Sequence, residues 1–193
     1  MTFLFFIFGL IEAFFWVSLE EVRFEVGYNE GYVSSDEILG YATTQRGPIT
    51  AKKYHDTAVV YDVTYSIDAN GQHLSSLDAV MNHQRCIVFF RDSLTFGEGV
   101  KDHEETPYLV GYLAQIKVYN FGFRGYGPHQ MLAALDHGLV QRIVDCMPRL
   151  AIYQAFVGHV ARVAGLAVWD EHGPKYLLLS DQCIPLSEQG IQS

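Results

Sequence analysis

The chain has 193 residues with 13 Lys+Arg and 22 Asp+Glu, so its formal net charge at pH 7 is −9. This acidic balance excludes the basic surface of a nucleic-acid-binding protein, and we expect no nucleic-acid partner. Hydrophobic residues make up 49% and aromatic residues 14% of the chain, which excludes a disordered protein and predicts one folded domain with a short appendage.

The first predicted element is a hydrophobic helix over residues 2–19, TFLFFIFGLIEAFFWVSL, whose only charge is Glu12. Its length is close to what a helix needs to cross the hydrocarbon core of a membrane. Trp16 stands where an aromatic residue would meet the membrane interface. We interpret the segment as a membrane anchor. A signal peptide, whose basic N-terminal region is missing here, and a buried helix are the alternatives.

The rest of the chain divides into a connector and a domain. The anchor helix takes 1–19, and residues 20–56 are predicted to be a connector, because glutamates alternate with aromatic residues and turn-forming pairs follow. The domain is predicted to span 57–193. It begins with alternating β-branched and aromatic residues before an Asn-Gly pair, which predicts an N-terminal β-hairpin near 57–75.

From residue 86 onward, strand patterns alternate with helix patterns. The predicted strands lie near 86–90, 116–119 and 150–157, and the predicted helices near 107–114 and 128–145. This order indicates an α/β fold in which a three-layer, flavodoxin-like domain contains a parallel sheet. In such sheets the functional residues follow the carboxyl ends of the strands.

Two segments after these strands have the composition of a catalytic site. Asp92 and Ser93 follow the first strand, where a serine hydroxyl can project into a crevice, although an Asx-turn that only caps the loop is the alternative. Gly122-x-x-Gly125-x-Gly127 follows the second strand and permits the close backbone approach of an oxyanion hole. A glycine-rich packing turn is the alternative there, and the order of the gaps disfavours a dinucleotide fingerprint.

Together these segments resemble the SGNH/GDSL family of serine esterases and lipases, and most closely its membrane-anchored bacterial members. Asp92-Ser93 with Thr95-x-Gly97 looks like the family's first block, and Asn120-x-Gly122-x-x-Gly125 looks like its second block. The resemblance implies that Ser93 is the nucleophile and that the Ser93 and Gly125 N–H groups bind the oxyanion. It also implies an O-acyl ester of a glycan or lipid as substrate, no cofactor, and a bacterial inner-membrane anchor with the domain facing the periplasm or exterior.

The chain also departs from the family pattern. Arg91 replaces the glycine before Asp-Ser, and Gly158-His159 stands where the third block should supply an asparagine. No aspartate is followed by a histidine three residues later, and Asp170-Glu171-His172 has the wrong gap. We therefore expect a sheet that is incomplete at the C-terminus, with an exposed apolar edge. We also expect impaired hydrolase activity. A non-catalytic remnant or binding module of the same fold is the alternative.

The remaining histidines and cysteines predict neither a metal site nor a disulfide framework. His129 and His137 can share a helix face, but no third ligand follows at a readable spacing, while His129 and His159 are the candidate bases for the serine. The other histidines that we interpret as solvated are His55, His73, His83 and His103, and we assign Glu104 and Glu105 to a favourable helix dipole. The cysteines are three, Cys86, Cys146 and Cys183, an odd number that argues against a disulfide framework.

Overall fold

The computed structural model describes residues 24–28, 32–75, 82–179 and 182–185. The hydrophobic helix predicted over 2–19 lies outside these residues. Within the described residues, no helix is both long enough and apolar enough to span a membrane.

The described elements alternate between strands and short helices. The strands are β1 Phe24–Tyr28, β2 Ser34–Asp36, β3 Gly40–Ala42, β4 Gly47–His55, β5 Ala58–Ile67, β6 Asn82–Arg91, β7 Ile116–Gly122, β8 Met147–Tyr153, β9 Tyr176–Leu179 and β10 Gln182–Pro185. The α-helices are α1 Ser93–Phe96, α2 Thr106–Ala114, α3 Pro128–Asp136, α4 Leu139–Ile143 and α5 Gly158–Val163. Two 3-10 turns, Asp102–Glu104 and Val168–Asp170, complete the set.

The centre of the fold is a parallel sheet with the strand order β7-β6-β8, which confirms the predicted α/β class. The apolar run of β6 is buried on both of its faces. Ile87 and Phe89 pack on the side of α2, whereas Val88 and Phe90 pack on the side of α3 and α4. A continuous apolar run is what a strand covered by helices on both faces requires.

Two predicted elements have different bounds in the structure. The helix expected over 128–145 is divided into α3 and α4, because Gly138 adopts a left-handed φ of 67° that interrupts the helix. The strand expected over 150–157 begins earlier, at Met147, and ends at Tyr153. It includes Pro148, which a strand at the edge of a sheet tolerates because no partner needs its missing N–H on the open side.

The segment expected to be a connector instead carries four strands. β1, β4 and β5 form an antiparallel sheet, and β2 pairs with β3. The β-hairpin predicted near 57–75 was wrong about which strand pairs with β5, because β5 pairs with the preceding strand β4. Among the described residues the Asn-Gly turn is closed by a single β-bridge, between Ile67 and His73. The inner side of this sheet packs Ile49 and Tyr65 against Phe96 of α1 and so adjoins the Ser93 turn.

A disulfide joins Cys86 of β6 to Cys146, which directly precedes β8. The expectation drawn from the odd number of cysteines was therefore wrong. An odd number of cysteines does not prevent two of them from pairing. Because β6 and β8 are neighbours in the sheet, the two cysteine Cα atoms lie 6.0 Å apart despite a separation of 60 residues.

The expected apolar edge is present at β8. Among the described residues no strand pairs with its outer side, and Met147 and Leu150 are 75% and 51% exposed. Val160 and Val163 on the neighbouring helix α5 are also exposed. An unpaired strand with apolar side chains is a template for association with other chains.

We therefore expect the protein to self-associate with rising concentration and Leu150→Lys to reduce this association, since a charge on an edge strand opposes pairing. Sedimentation velocity over a concentration series measures the effect. Leu113→Lys is the control, because Leu113 is 79% exposed on α2, away from this edge. Equal association of both variants would show that the β8 edge is not the contact.

Candidate functional site

A cavity of about 720 Å³ opens at the carboxyl ends of β6 and β7. Ser93 follows β6 and Gly125 follows β7, and both residues line this cavity. Parallel strands bring their carboxyl ends to the same edge of a sheet, so two segments 32 residues apart meet there. The two residues singled out from the sequence therefore share one cavity.

Ser93 is the first residue of the one-turn helix α1. The Asp92 side chain caps this turn by accepting a hydrogen bond from the Leu94 N–H at 3.1 Å. Gly97, with a φ of 89°, ends the turn and donates its N–H to the Ser93 carbonyl at 3.0 Å. Asp92 therefore does cap the loop, as the Asx-turn alternative predicted. The Ser93 hydroxyl makes no hydrogen bond to any residue that the structure describes.

Position 125 requires glycine because of its backbone conformation and its close neighbours. It has a φ of 78°, and a Cβ atom there would lie 2.5 Å from the Tyr41 hydroxyl and 2.6 Å from Trp169 Nε1. The Gly125 carbonyl accepts a hydrogen bond from Trp169 Nε1, while the Tyr41 hydroxyl donates to the neighbouring Arg124 carbonyl. Burial raises the pKa of Tyr41, so the hydroxyl stays a neutral donor. Both aromatic side chains line the cavity.

Asp92 is buried between two guanidinium groups beside the serine. Its carboxylate lies 2.9 Å from Arg162 Nη1 and 3.2 Å from Arg91 Nε. Arg162 also donates to the Tyr126 carbonyl at 2.6 Å, and it lines the Ser93 cavity. The backbone of Arg91 is not among those with positive φ, so arginine at the family's glycine position is unstrained. Its cation is paired with Asp92 rather than presented to the serine.

Gly158 and His159 lie at the start of α5, next to Asp92. A Cβ at Gly158 would lie 2.5 Å from the Phe156 ring, so the glycine makes room for that ring. His159 Nδ1 hydrogen-bonds the Tyr153 hydroxyl at 2.7 Å, and its Nε2 lies 3.6 Å from Asp92 Oδ2. Burial lowers the pKa of His159. The structure shows no hydrogen bond from its described neighbours to Nε2, and none from this imidazole to Ser93.

His129, the other candidate base, belongs to a neighbouring cavity of about 460 Å³. Its Nε2 is hydrogen-bonded to Asp170 Oδ2, and Gln130 donates to the other carboxylate oxygen at 2.9 Å. Arg162 lines both cavities, whereas His129 and Asp170 line the second cavity and not that of Ser93. The sequence did not indicate the pairing, because the two residues lie 41 positions apart.

One histidine that the sequence spacing had set aside does line the Ser93 cavity. His172 and Glu171 line it just after the second 3-10 turn, and Trp169 lines it from within that turn. His172 stands two residues after Asp170 instead of the three that the Asp-x-x-His pattern requires. Its position after the predicted third strand was the only available signal, and nothing local to the sequence shows that this segment returns to the serine.

Two polar residues near the Ser93 turn are buried. His73 is 2% exposed, so the interpretation of His73 as solvated was wrong. Glu105 is 1% exposed and directly precedes α2, so its predicted place at a helix start is confirmed, while its burial was not predicted. Their contacts are with each other, with Asp102 and with the α1 backbone. Their mutual pairing makes this burial possible.

The fold and the site define an α/β protein with a serine-bearing turn at the carboxyl end of its central parallel strand. Within the described residues, no three or more His, Cys, Asp or Glu side chains cluster in a way that could hold a metal ion. The chain matches no protein-family model and no curated protein.

Proposed function

We propose that this protein is a serine hydrolase of the SGNH/GDSL type that acts on carboxylic O-acyl esters. The observation that carries the proposal is the shared cavity of Ser93 and Gly125, each of which follows the carboxyl end of a parallel strand. This is the edge of an α/β sheet where substrates bind. The substrate proposed is an acylated glycan or lipid, handled without a cofactor.

In the proposed reaction the Ser93 hydroxyl attacks the ester carbonyl. A base takes the serine proton, and the Ser93 and Gly125 N–H groups stabilise the oxyanion. The acyl group passes to Ser93 as the alkoxide leaves, and the alkoxide takes up the proton from the base. Water then attacks the acyl-Ser93 ester, which releases the carboxylic acid and restores the serine hydroxyl. Neither His159 nor His129 lines the Ser93 cavity, whereas His172 does, so His172 is the base that we assign.

We expect this activity to be weak. In the known triads a carboxylate orients the imidazole. The described residues offer His172 no such hydrogen bond, since Asp170 is bonded to His129. The same observation favours the second candidate function, a non-catalytic binding module of this fold, in which the cavity binds an ester or glycan without cleaving it.

The membrane anchor and the location of the domain are also proposals. The apolar run over 2–19 supports an anchor in the bacterial inner membrane. The Cys86–Cys146 disulfide supports a domain that faces the periplasm or exterior, because disulfides persist in oxidising compartments and are rare in the cytosol.

Hydrolysis of an aryl acetate by the full chain tests the function. We expect slow turnover that Ser93→Ala abolishes and that His172→Ala lowers by about 10²-fold or more, the usual contribution of a general base. Ser35→Ala is the matched control, because Ser35 lines the same cavity and should leave turnover unchanged. Equal turnover in wild type and Ser93→Ala would contradict the serine mechanism. No turnover in the wild type would favour the binding module.

A further inference from the structure

A buried polar cluster whose residues do not line the Ser93 cavity holds the Ser93 turn. His73 Nδ1 lies 2.6 Å from the Phe96 carbonyl oxygen and 3.0 Å from Glu105 Oε2. His73 Nε2 lies 2.8 Å from Asp102 Oδ1. The Phe96 carbonyl belongs to α1, the turn that Ser93 begins. His73 therefore connects the segment after β5 to the serine-bearing turn.

A second contact reaches the same turn. Asn120 of β7 donates its side-chain amide to the Thr95 carbonyl and to Glu105 Oε2, both at 2.9 Å. Buried side chains thus bind two consecutive carbonyls of this turn: Asn120 binds that of Thr95, and His73 binds that of Phe96. The N–H groups of Gly97 and Glu98, at 3.0 and 2.8 Å, in turn bind the Ser93 carbonyl. The position of Ser93 depends on this chain of contacts.

The geometry also determines the protonation state of His73. A carbonyl oxygen can only accept, so Nδ1 must carry a proton to bond Phe96. An ionised Asp102 can only accept as well, so Nε2 must carry a proton too. A neutral imidazole has one N–H and would face one of these oxygens with a lone pair. The contacts are therefore those of an imidazolium.

We propose that His73, as an imidazolium between Asp102 and Glu105, is a positioning residue that holds the Ser93 turn through the Phe96 carbonyl. Its bearing on catalysis rests on the proposed hydrolase function. Loss of one ring proton places a lone pair against an oxygen less than 3 Å away, and the turn must then shift. Activity would fall at alkaline pH for a reason outside the cavity.

The electrostatics of the cluster agree with this assignment. Burial by itself lowers the pKa of His73, but its hydrogen bonds to Asp102 and Glu105 outweigh burial and raise that pKa to about 9. Burial raises the pKa of Asp102, but its hydrogen bond to His73 contributes to a net lowering of that pKa. Burial raises the pKa of Glu105. The other charged groups at this cluster line a small adjoining cavity of about 200 Å³; they are Asp68, Lys117 and Asp145.

The sign of the pH effect follows from the direction of the shift. A raised pKa means that the ordered turn binds the proton more tightly than the open turn, whose His73 has its ordinary pKa of about 6.5. The stabilisation is complete below pH 6.5 and is lost as pH rises through about 9. Over that window the equilibrium constant for opening should rise by about tenfold per pH unit.

Amide hydrogen exchange on the full chain tests the positioning. After correction for intrinsic base catalysis, we expect protection of the Gly97 and Glu98 amides to fall by about tenfold per pH unit between pH 6.5 and 9 and then to level off. The His73 ring signals in NMR should titrate near pH 9. A ring that titrates near 6.5, or protection that does not change over this window, would overturn the proposal.

Asp102→Asn is the decisive variant, because it keeps the shape of the side chain and removes the charge that holds Nε2. In this variant the His73 ring should titrate at a lower pH than in the wild type. The pH at which amide protection levels off and the pH at which kcat falls should decrease with it, while KM changes little. Glu104→Gln is the control. Glu104 lies on the same 3-10 turn, but its carboxylate accepts a hydrogen bond from the Lys101 N–H and does not contact His73. The pH values of the His73 titration, of the levelling of protection and of the fall in kcat should therefore be unchanged.

The failure of each proposal has a distinct signature. A wild type without turnover refutes the hydrolase, while amide protection still decides whether His73 holds the turn. Turnover whose alkaline fall is unmoved by Asp102→Asn refutes the positioning role and leaves the hydrolase standing.

Discussion

Asp92→Ala is expected to lower the free energy of unfolding by about 3–5 kcal/mol, the usual result of removing one partner from a buried ion pair. The Asp92 side chain is 3% exposed and faces Arg162 and Arg91, whose side chains are 14% and 10% exposed. Without the carboxylate, two guanidinium groups remain poorly solvated side by side. The variant also loses the cap on the Leu94 N–H. Urea denaturation followed by circular dichroism measures the change.

An exposed aspartate in an ion pair of similar length is the matched control. Asp62 lies 2.8 Å from Lys52, and both side chains are almost half exposed. Because water screens such a pair, Asp62→Ala should lower the free energy of unfolding far less than Asp92→Ala does. Asp92→Asn separates the two contributions, since an amide can still cap the turn but cannot neutralise the arginines. If Asp92→Ala and Asp62→Ala lower the free energy of unfolding equally, burial of the Asp92 ion pairs does not increase their contribution to stability.

Reduction of the Cys86–Cys146 disulfide is expected to lower the free energy of unfolding by about 4 kcal/mol. The bond closes a loop of 60 residues, and cross-linking a loop of that length removes about this much conformational freedom from the unfolded chain in the loop-entropy treatment. Thermal unfolding with and without a reductant measures the difference. Peptide mapping under oxidising conditions identifies the bonded pair.

Cys183→Ser is the control for this experiment, because it retains the Cys86–Cys146 pair. It should show the same drop in melting temperature on reduction as the wild type. Cys146→Ser should melt at the same lower temperature with or without reductant. A reductant effect that persists in Cys146→Ser would mean that the stabilising bond is a different one.

Local sequence patterns were sufficient to predict the class of the fold and the edge of the sheet where Ser93 and Gly125 lie. The apolar run of β6 predicted a strand buried on both faces, and the alternation that followed predicted a parallel sheet. Since parallel strands end at one edge, the prediction that Ser93 and Gly125 are neighbours followed from chain order alone. These inferences succeed because hydrophobic periodicity and turn residues act over a few positions.

The tertiary structure alone decided which polar residues pair and which are buried. Arg162 reaches Asp92 from 70 positions away, Asp170 binds His129 from 41, and His73 is buried by Asp102 and Glu105, which start different helical turns. A histidine or carboxylate reads as exposed in the sequence, because an unpaired charge is too costly to bury. Its burial becomes possible only when the folded backbone brings an opposite charge to it, and local patterns carry no record of that approach.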